Sequence, residues 1–272
     1  MKTLIIFILI SLFNLYQGNE FYHIVRVDGE IINIATGQPL TTGDEIKPND
    51  QLRFSSPYAT AIALSNLRGK FTISMPENTD IFDDNQLLAM ASSAVSPIGS
   101  RMQLSTRGIG GMAVKDFKNF LGEEDFYVIG NELSVKLDKN VYPMDENNFF
   151  VFVYQLNGEK KSKKIGYSGQ EIKIEKHKLL EDMAIDSSTI NSVQVYRYNK
   201  EKNKNVPVTT ITMSFLDQSQ LQREFTEVID FLKTQELQRP EIMNYMQEYF
   251  RDIYGKTDND KLFLFINQNI NN

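Results

Sequence analysis

An α+β fold, mainly β, is what this sequence predicts, and three observations predict it. Short segments of alternating apolar and polar residues crowd residues 20–75, each bounded by Gly, Pro, Asn or Asp. A second strand-rich stretch, 126–215, holds Asn157-Gly158, the strongest short signal for a β-hairpin. After residue 216 the apolar spacing changes from a period of two to one of ~3.6, the mark of helices. The expected architecture is a small β-barrel or sandwich module followed by an antiparallel sheet domain with a C-terminal helical hairpin. Its boundaries are an apolar leader at 1–18, a β module at 20–75 and a connecting segment at 76–111. An α+β domain fills 112–272, with its sheet at 126–215 and its helices at 216–270.

The leader comes first. Met1-Lys2 supplies one positive charge, and Thr3 to Tyr16 carries none. A short basic start before such an apolar run is an export signal, and the run falls short of the ~20 residues a bilayer-spanning helix needs. Gly18 is small enough for cleavage nearby, whereas Tyr16 sits where a small residue is preferred. The chain is therefore expected to be periplasmic or secreted, with an inner-membrane tether as the alternative if the leader stays uncut.

In the β module, Tyr22-His23-Ile24-Val25-Arg26-Val27 alternates and Asp28-Gly29 turns the chain. Ile31 to Ile34 follows, then the turn Thr36-Gly37-Gln38-Pro39. Leu40 to Ile46 leads to the turn Pro48-Asn49-Asp50. Leu52 to Phe54, Ala59 to Leu64 and Lys70 to Ile73 complete the set. The pattern Val27-x-Gly29, Gly37-x-x-Leu40-x-x-Gly43-Asp44-x-Ile46, Asp50-x-Leu52, Ala59 to Leu64, Gly69 and Phe71-x-Ile73 resembles a FecR-type domain. That family is an exported β module, best known in bacterial periplasmic sensors that relay iron-chelate uptake to sigma factors. Asn66-Leu67-Arg68-Gly69 stands where the family often has an Asp-Gly turn, and no cytoplasmic sigma-binding segment precedes the apolar leader. The resemblance thus implies the fold and not the signalling role.

Residues 76–111 change character. Glu77, Asp80, Asp83 and Asp84 cluster, a short helix is expected over Gln86–Val95, and Arg107-Gly108-Ile109-Gly110-Gly111 closes the segment. Val114 to Phe120 reads as one or two helical turns ended by Gly122. Phe126–Ile129 and Leu133–Leu137 flank Gly130-Asn131. Phe149-Phe150-Val151-Phe152-Val153-Tyr154 is apolar on both faces and predicts a central, doubly covered strand. Its return strand after Asn157-Gly158 carries Lys160, Lys161, Lys163 and Lys164. Lysines so placed guard a sheet edge or meet an anionic surface. Glu171–Glu175 alternates, and Val193–Tyr198 with Thr209–Met213 predicts a hairpin across Asn199–Asn205.

Asp217 is the expected N-cap of the first C-terminal helix, with Leu221, Phe225, Val228 and Leu232 on one face. Pro240 opens a second helix with Ile242, Met246, Tyr249 and Ile253 inward, stopped at Gly255. Asp258 begins a third, with Leu262, Phe265, Ile266 and Ile270 inward. These stripes read as packing surface.

Composition excludes several chemistries. The chain has 272 residues with 18 Phe and 12 Tyr, enough apolar material for a core. It has no cysteine, so disulfides, thiolate nucleophiles and Cys-based metal sites are out. No Asn-x-Ser/Thr acceptor occurs, in keeping with a bacterial protein. A net charge of -6 disfavours nucleic acid as a partner. Only two histidines are present, His23 and His177, and no Gly-x-Ser-x-Gly elbow accompanies them. Glu77, Asp80, Asp83 and Asp84, or Glu123, Glu124 and Asp125, offer carboxylates for glycan hydrolysis. Solvated acidic loops explain them as well. Neither Asp80-x-x-Asp83-Asp84 nor Asp258-Asn259-Asp260 fits a calcium loop, and the glycines at 108–111 lack the Lys-Ser/Thr of a phosphate loop.

No catalytic, cofactor-binding or metal residue is assigned, and no cofactor is expected. The function expected is a non-catalytic interaction or scaffold role in the bacterial envelope, with another envelope protein as partner. Membrane contact is expected only through an uncut leader. The alternatives are a carboxylate-dependent glycan hydrolase and a glycan- or small-ligand-binding protein.

Overall fold

The structure, a computed structural model, describes residues 20–67, 69–76, 87–100, 112–180 and 188–271. The leader at 1–18, the acidic cluster at Glu77, Asp80, Asp83 and Asp84, and the glycines at 108–111 lie outside these residues. The chain divides into two compact units, residues 1–99 with 230–235 and residues 100–229 with 236–272. The fold is α+β and mainly β, as the residue patterns require.

The first unit contains β1 (Tyr22–Asp28), β2 (Ile31–Asn33), β3 (Gln38–Pro39), β4 (Glu45–Ile46), β5 (Gln51–Phe54), β6 (Thr60–Ser65) and β7 (Gly69–Ser74). It continues through β8 (Leu87–Met90), helix α1 (Ala91–Ala94) and β9 (Val95–Pro97). Strand orders are β4-β1-β6-β7-β9 and β3-β2-β5-β8, and no closed barrel forms among the described residues. Ile24, Ala61, Ala63 and Ile73 of the first sheet share one core with Ile31, Leu52 and Phe54 of the second. The strands read from residues 21–74 are present with two changes: Leu40–Ile46 is strand only at Glu45–Ile46, and Gln38–Pro39, read as part of a turn, forms β3. Gly29 is held at a φ of +85°, and a Cβ there would stand 3.1 Å from Ala59 Cβ, so the turn requires glycine twice over.

The helix expected over Gln86–Val95 is a correction. Only Ala91–Ala94 is helical, and the residues on either side are strands. Leu88-Ala89-Met90 is an apolar run too short for periodicity to separate helix from strand. The open edges of β5 and β7 decide it, since β8 pairs with β5 and β9 with β7. Residues 87–97 thus complete the first unit's sheets, where a connecting segment with one short helix was expected.

The second unit begins with α2 (Phe117–Leu121), capped by Asp116 Oδ1, which accepts from the Asn119 N–H at 2.8 Å. Then come β10 (Asp125–Ile129), β11 (Glu132–Lys136), β12 (Asn148–Leu156), β13 (Glu159–Lys164), β14 (Gly166–Ser168) and β15 (Glu171–Glu175). Helix α3 (Lys176–Leu180), β16 (Thr189–Asn199) and β17 (Lys204–Leu216) follow. Three helices end the chain: α4 (Gln218–Thr234), α5 (Arg239–Ile253) and α6 (Asn259–Asn271).

One sheet runs β10-β17-β16-β12-β13 and a smaller one β11-β15-β14. Phe150, Phe152, Val193, Val195, Ile211 and Met213 of the large sheet meet Leu133, Val135, Ile172 and Ile174 of the small one in a common core. Phe117 closes it, its ring 5.0 Å from that of Phe150. The large sheet is not wholly antiparallel, because β10 pairs with β17 in parallel. Gly130-Asn131 is therefore a crossing between sheets and not a hairpin turn: β10 joins the large sheet and β11 the small one.

The helices carry a second cluster of their own. Phe225 lies 5.4 Å from Phe265 and 6.3 Å from both Tyr249 and Phe250, ring to ring. Asp217 Oδ1 accepts from the Gln220 N–H at 2.7 Å, and Asp258 Oδ1 accepts from the Asp260 N–H at 2.9 Å, so both expected N-caps form. The helical segment is tied to the sheets at β10 and its neighbour. The Tyr127 N–H donates to Lys256 O at 2.7 Å, Thr257 Oγ1 donates to Tyr127 O at 2.6 Å, and Lys261 Nζ donates to Glu132 O at 2.6 Å.

Candidate functional site

The residues of β12 explain the site. Their inner row, Phe150, Phe152, Tyr154 and Leu156, is buried, whereas Phe149, Val151 and Val153 are half-buried on the opposite face. This corrects the doubly covered central strand: β12 lies next to the edge strand β13 and is covered on one face only. The outer apolar row that looked like core is surface.

Register sets the rows of that surface, because residues directly opposite in an antiparallel pair point to one face. Phe149 stands opposite Tyr198, Val151 opposite Tyr196, and Val153 opposite Gln194 on β16. On the other side Val151 faces Lys164, Val153 faces Ser162, and Gln155 faces Lys160 on β13. Asn205 of β17 extends the Tyr198 row. All of these side chains except Lys164 and Gln155 line a basin of about 430 Å³, within the range of roughly 300–1,000 Å³ usual for small-ligand sites.

Its chemistry is aromatic and cationic. The Phe149 and Tyr198 rings lie 5.2 Å apart, tilted by 55°. Lys164 Nζ sits 4.1 Å from the Phe149 ring centroid and 5.5 Å from that of Tyr167, a cation held over two π faces. Tyr196 Oη donates to Gln194 Oε1 at 3.2 Å and Tyr198 Oη donates to Asn203 Oδ1 at 3.0 Å. With its Oε1 used in this way, Gln194 presents its amide hydrogens as donors. Lys160, exposed, also lines the basin, and no Asp or Glu does among the described residues.

The lysine strand β13 is the sheet edge, as one of its two readings requires. Its four lysines split by register. Lys160 and Lys164 lie on the basin face, whereas Lys161 and Lys163 stand opposite Tyr154 and Phe152 on the core side. The hairpin behind it has Asn157 at a φ of +52° and Gly158 at +80°, the two positive values a type I′ turn needs.

The other residues weighed for chemistry are placed elsewhere. His23 is a half-buried residue of β1, and His177 is exposed on α3 beside Lys176 and Lys178. Glu123, Glu124 and Asp125 are exposed. Lys118 Nζ lies 2.5 Å from Glu123 Oε1, and its hydrogen bond and charge hold that carboxyl below its ordinary range. Glu175 is lowered by its hydrogen bond to Lys178, and Asp145 by donors from the Asn147 backbone and the Asn148 side chain. A general acid needs the opposite shift. Asp258 has it, raised by burial, but its carboxylate is engaged as the helix cap. Among the described residues no group of three or more His, Asp or Glu is placed to hold a metal ion.

Sequence reasoning missed the basin and two buried carboxylates, Glu224 and Asp252. The alternation Val193-Gln194-Val195-Tyr196-Arg197-Tyr198 held the signal: its second row is aromatic and polar, as on a solvated face. Glu224 is 2 % exposed and accepts hydrogen bonds from Tyr249 Oη and Tyr254 Oη, each at 2.7 Å. Nothing in the spacing of these residues announced it. No family model matches the chain, and no curated protein matches it.

Proposed function

We propose that the chain is an exported protein of the bacterial envelope that works by binding, through the outer face of the five-stranded sheet. One observation carries the reading. A sheet face with a half-buried aromatic and aliphatic row, left open by helices fastened at β10 and β11, is a recognition surface. The basic start and apolar run at 1–18 support export. The first unit's glycine turns and small sheets support the FecR-like resemblance as a reading of its fold. Face binding is favoured over edge pairing, because lysines line the β13 edge.

A photo-crosslinking residue at Ser162, exposed on the basin rim, is expected to trap an envelope component in intact cells. The same residue at Gln222, exposed on α4, is expected to trap none. Equal labelling at both positions, or none at Ser162, rejects the face as the binding site.

A further inference from the structure

We infer that the occupant of this face is a sparsely charged acidic polysaccharide, a chain of sugar rings carrying carboxylates at intervals. The inference rests on the binding role proposed for the sheet face and names its ligand class. Charge complementarity is the first argument. The protein carries a net charge of -6, yet the basin is lined by Lys160 and, among the described residues, by no carboxylate, and strand register puts Lys164 on the same face. Donors stand beside this charge, since Gln194 offers an N–H₂ and Ser162 an O–H. A cationic, donor-rich surface suits a ligand rich in acceptors and bearing negative charge.

The apolar part selects among such ligands. Tyr196 and Tyr198 present half-buried ring surface in adjacent rows, with Val151, Val153 and the Phe149 ring beneath Lys164 beside them. Sugar rings have apolar C–H faces that lie on such surface and hydroxyls that stay solvated at the rims. An acidic peptide fits less well. The backbone of β12 is engaged by β13 on one side and β16 on the other, so the face has no ladder to offer a peptide main chain. Each peptide group buried without a partner would cost about 1–3 kcal/mol. A nucleic acid carries a charge on every residue, and its binding needs more cations than two lysines on a net-negative protein. Carboxylates on alternate sugars match a face whose two ammonium groups sit two rows apart on β13, opposite Val151 and Gln155.

Titration calorimetry of the purified protein tests this with four probes: a hyaluronan hexasaccharide, a neutral cellulose hexasaccharide, poly-glutamate and a single-stranded oligonucleotide. Hyaluronan is expected to bind saturably and about tenfold more tightly than the neutral sugar. Tyr198→Ala is expected to weaken both sugars by about tenfold. The double variant Lys160→Gln with Lys164→Gln is expected to bring hyaluronan down to the level of the neutral sugar and leave that sugar unchanged. Both lysines are exposed, so this variant decides the matter even where Tyr198→Ala fails to fold. Equal affinity for acidic and neutral sugars, indifference to the lysine changes, or tighter binding of poly-glutamate or the oligonucleotide overturns the inference. If no sugar binds while Ser162 still crosslinks in cells, the ligand class falls and the binding face stands; if both fail, both fall.

Discussion

Glu224 is a carboxylate placed inside a helical cluster, and its environment shows how a charged residue is tolerated there. Two tyrosine hydroxyls donate to it at 2.7 Å, one to each oxygen. Burying such a group is costly unless donors replace water. Tyr249→Phe keeps the ring packed against Phe225 and removes one donor. It is expected to destabilise the protein by about 1–3 kcal/mol, measured by urea unfolding. Asp258 makes the companion case. Burial raises its carboxyl, so its folded pKa lies above the unfolded one. Stability from such a group is full below the unfolded value and is lost as pH rises through the folded value. Asp258→Asn keeps a capping acceptor and removes that loss. The variant is expected to melt above the wild type at pH 7, with the difference closing as pH falls below about 4. Asp258 was legible as a cap from its place before an apolar stripe. Its burial was not, because burial depends on which side chains arrive from elsewhere in the chain.

At the scale of elements, local chemistry wrote the turns and caps plainly. Asn157-Gly158 forms its hairpin with β12 and β13 paired from Leu156 and Glu159 onward. A Cβ at Gly158 meets no atom within 4 Å, so only backbone conformation opposes a side chain there. Gly158→Ala is expected to cost about 1–2 kcal/mol, read as a lowered melting temperature without loss of the folded spectrum. The lysines of β13 act on association. Lys161→Thr with Lys163→Thr leaves the basin residues in place and is expected to give concentration-dependent self-association in sedimentation velocity. The pairing of elements far apart in sequence was less legible. Leu88-Ala89-Met90 became strand because β5 had a free edge, and β12 lost its outer cover because the helices attach at β10. Both outcomes depend on partners that no local window contains.

For the whole molecule, composition and period were enough to read a mainly β chain with a helical C-terminus and two β-rich regions. The basin was legible only as an ambiguity. An all-apolar strand has two faces to account for, and the residues of β12 alone do not say which is wet. Export belongs to this scale as well. The intact chain is expected in the envelope fraction, and a chain lacking residues 2–18 is expected in cytosol, by fractionation and immunoblotting. Recovery of the intact chain from cytosol would contradict the envelope assignment.

The parallel strand at the far side of the large sheet has a consequence for how the protein acquires its shape. β10 has no sheet neighbour but β17, and its Asp125 aligns with Thr212, while β12, β13 and β16 lie between them in the chain. A polypeptide emerging N-terminus first presents β10 long before its mate exists. Until β17 arrives, Phe126 and Val128 have no strand beside them, and the slow non-local step falls last. Truncation anywhere before Thr212 removes the mate of Asp125 and leaves this strand without its partner.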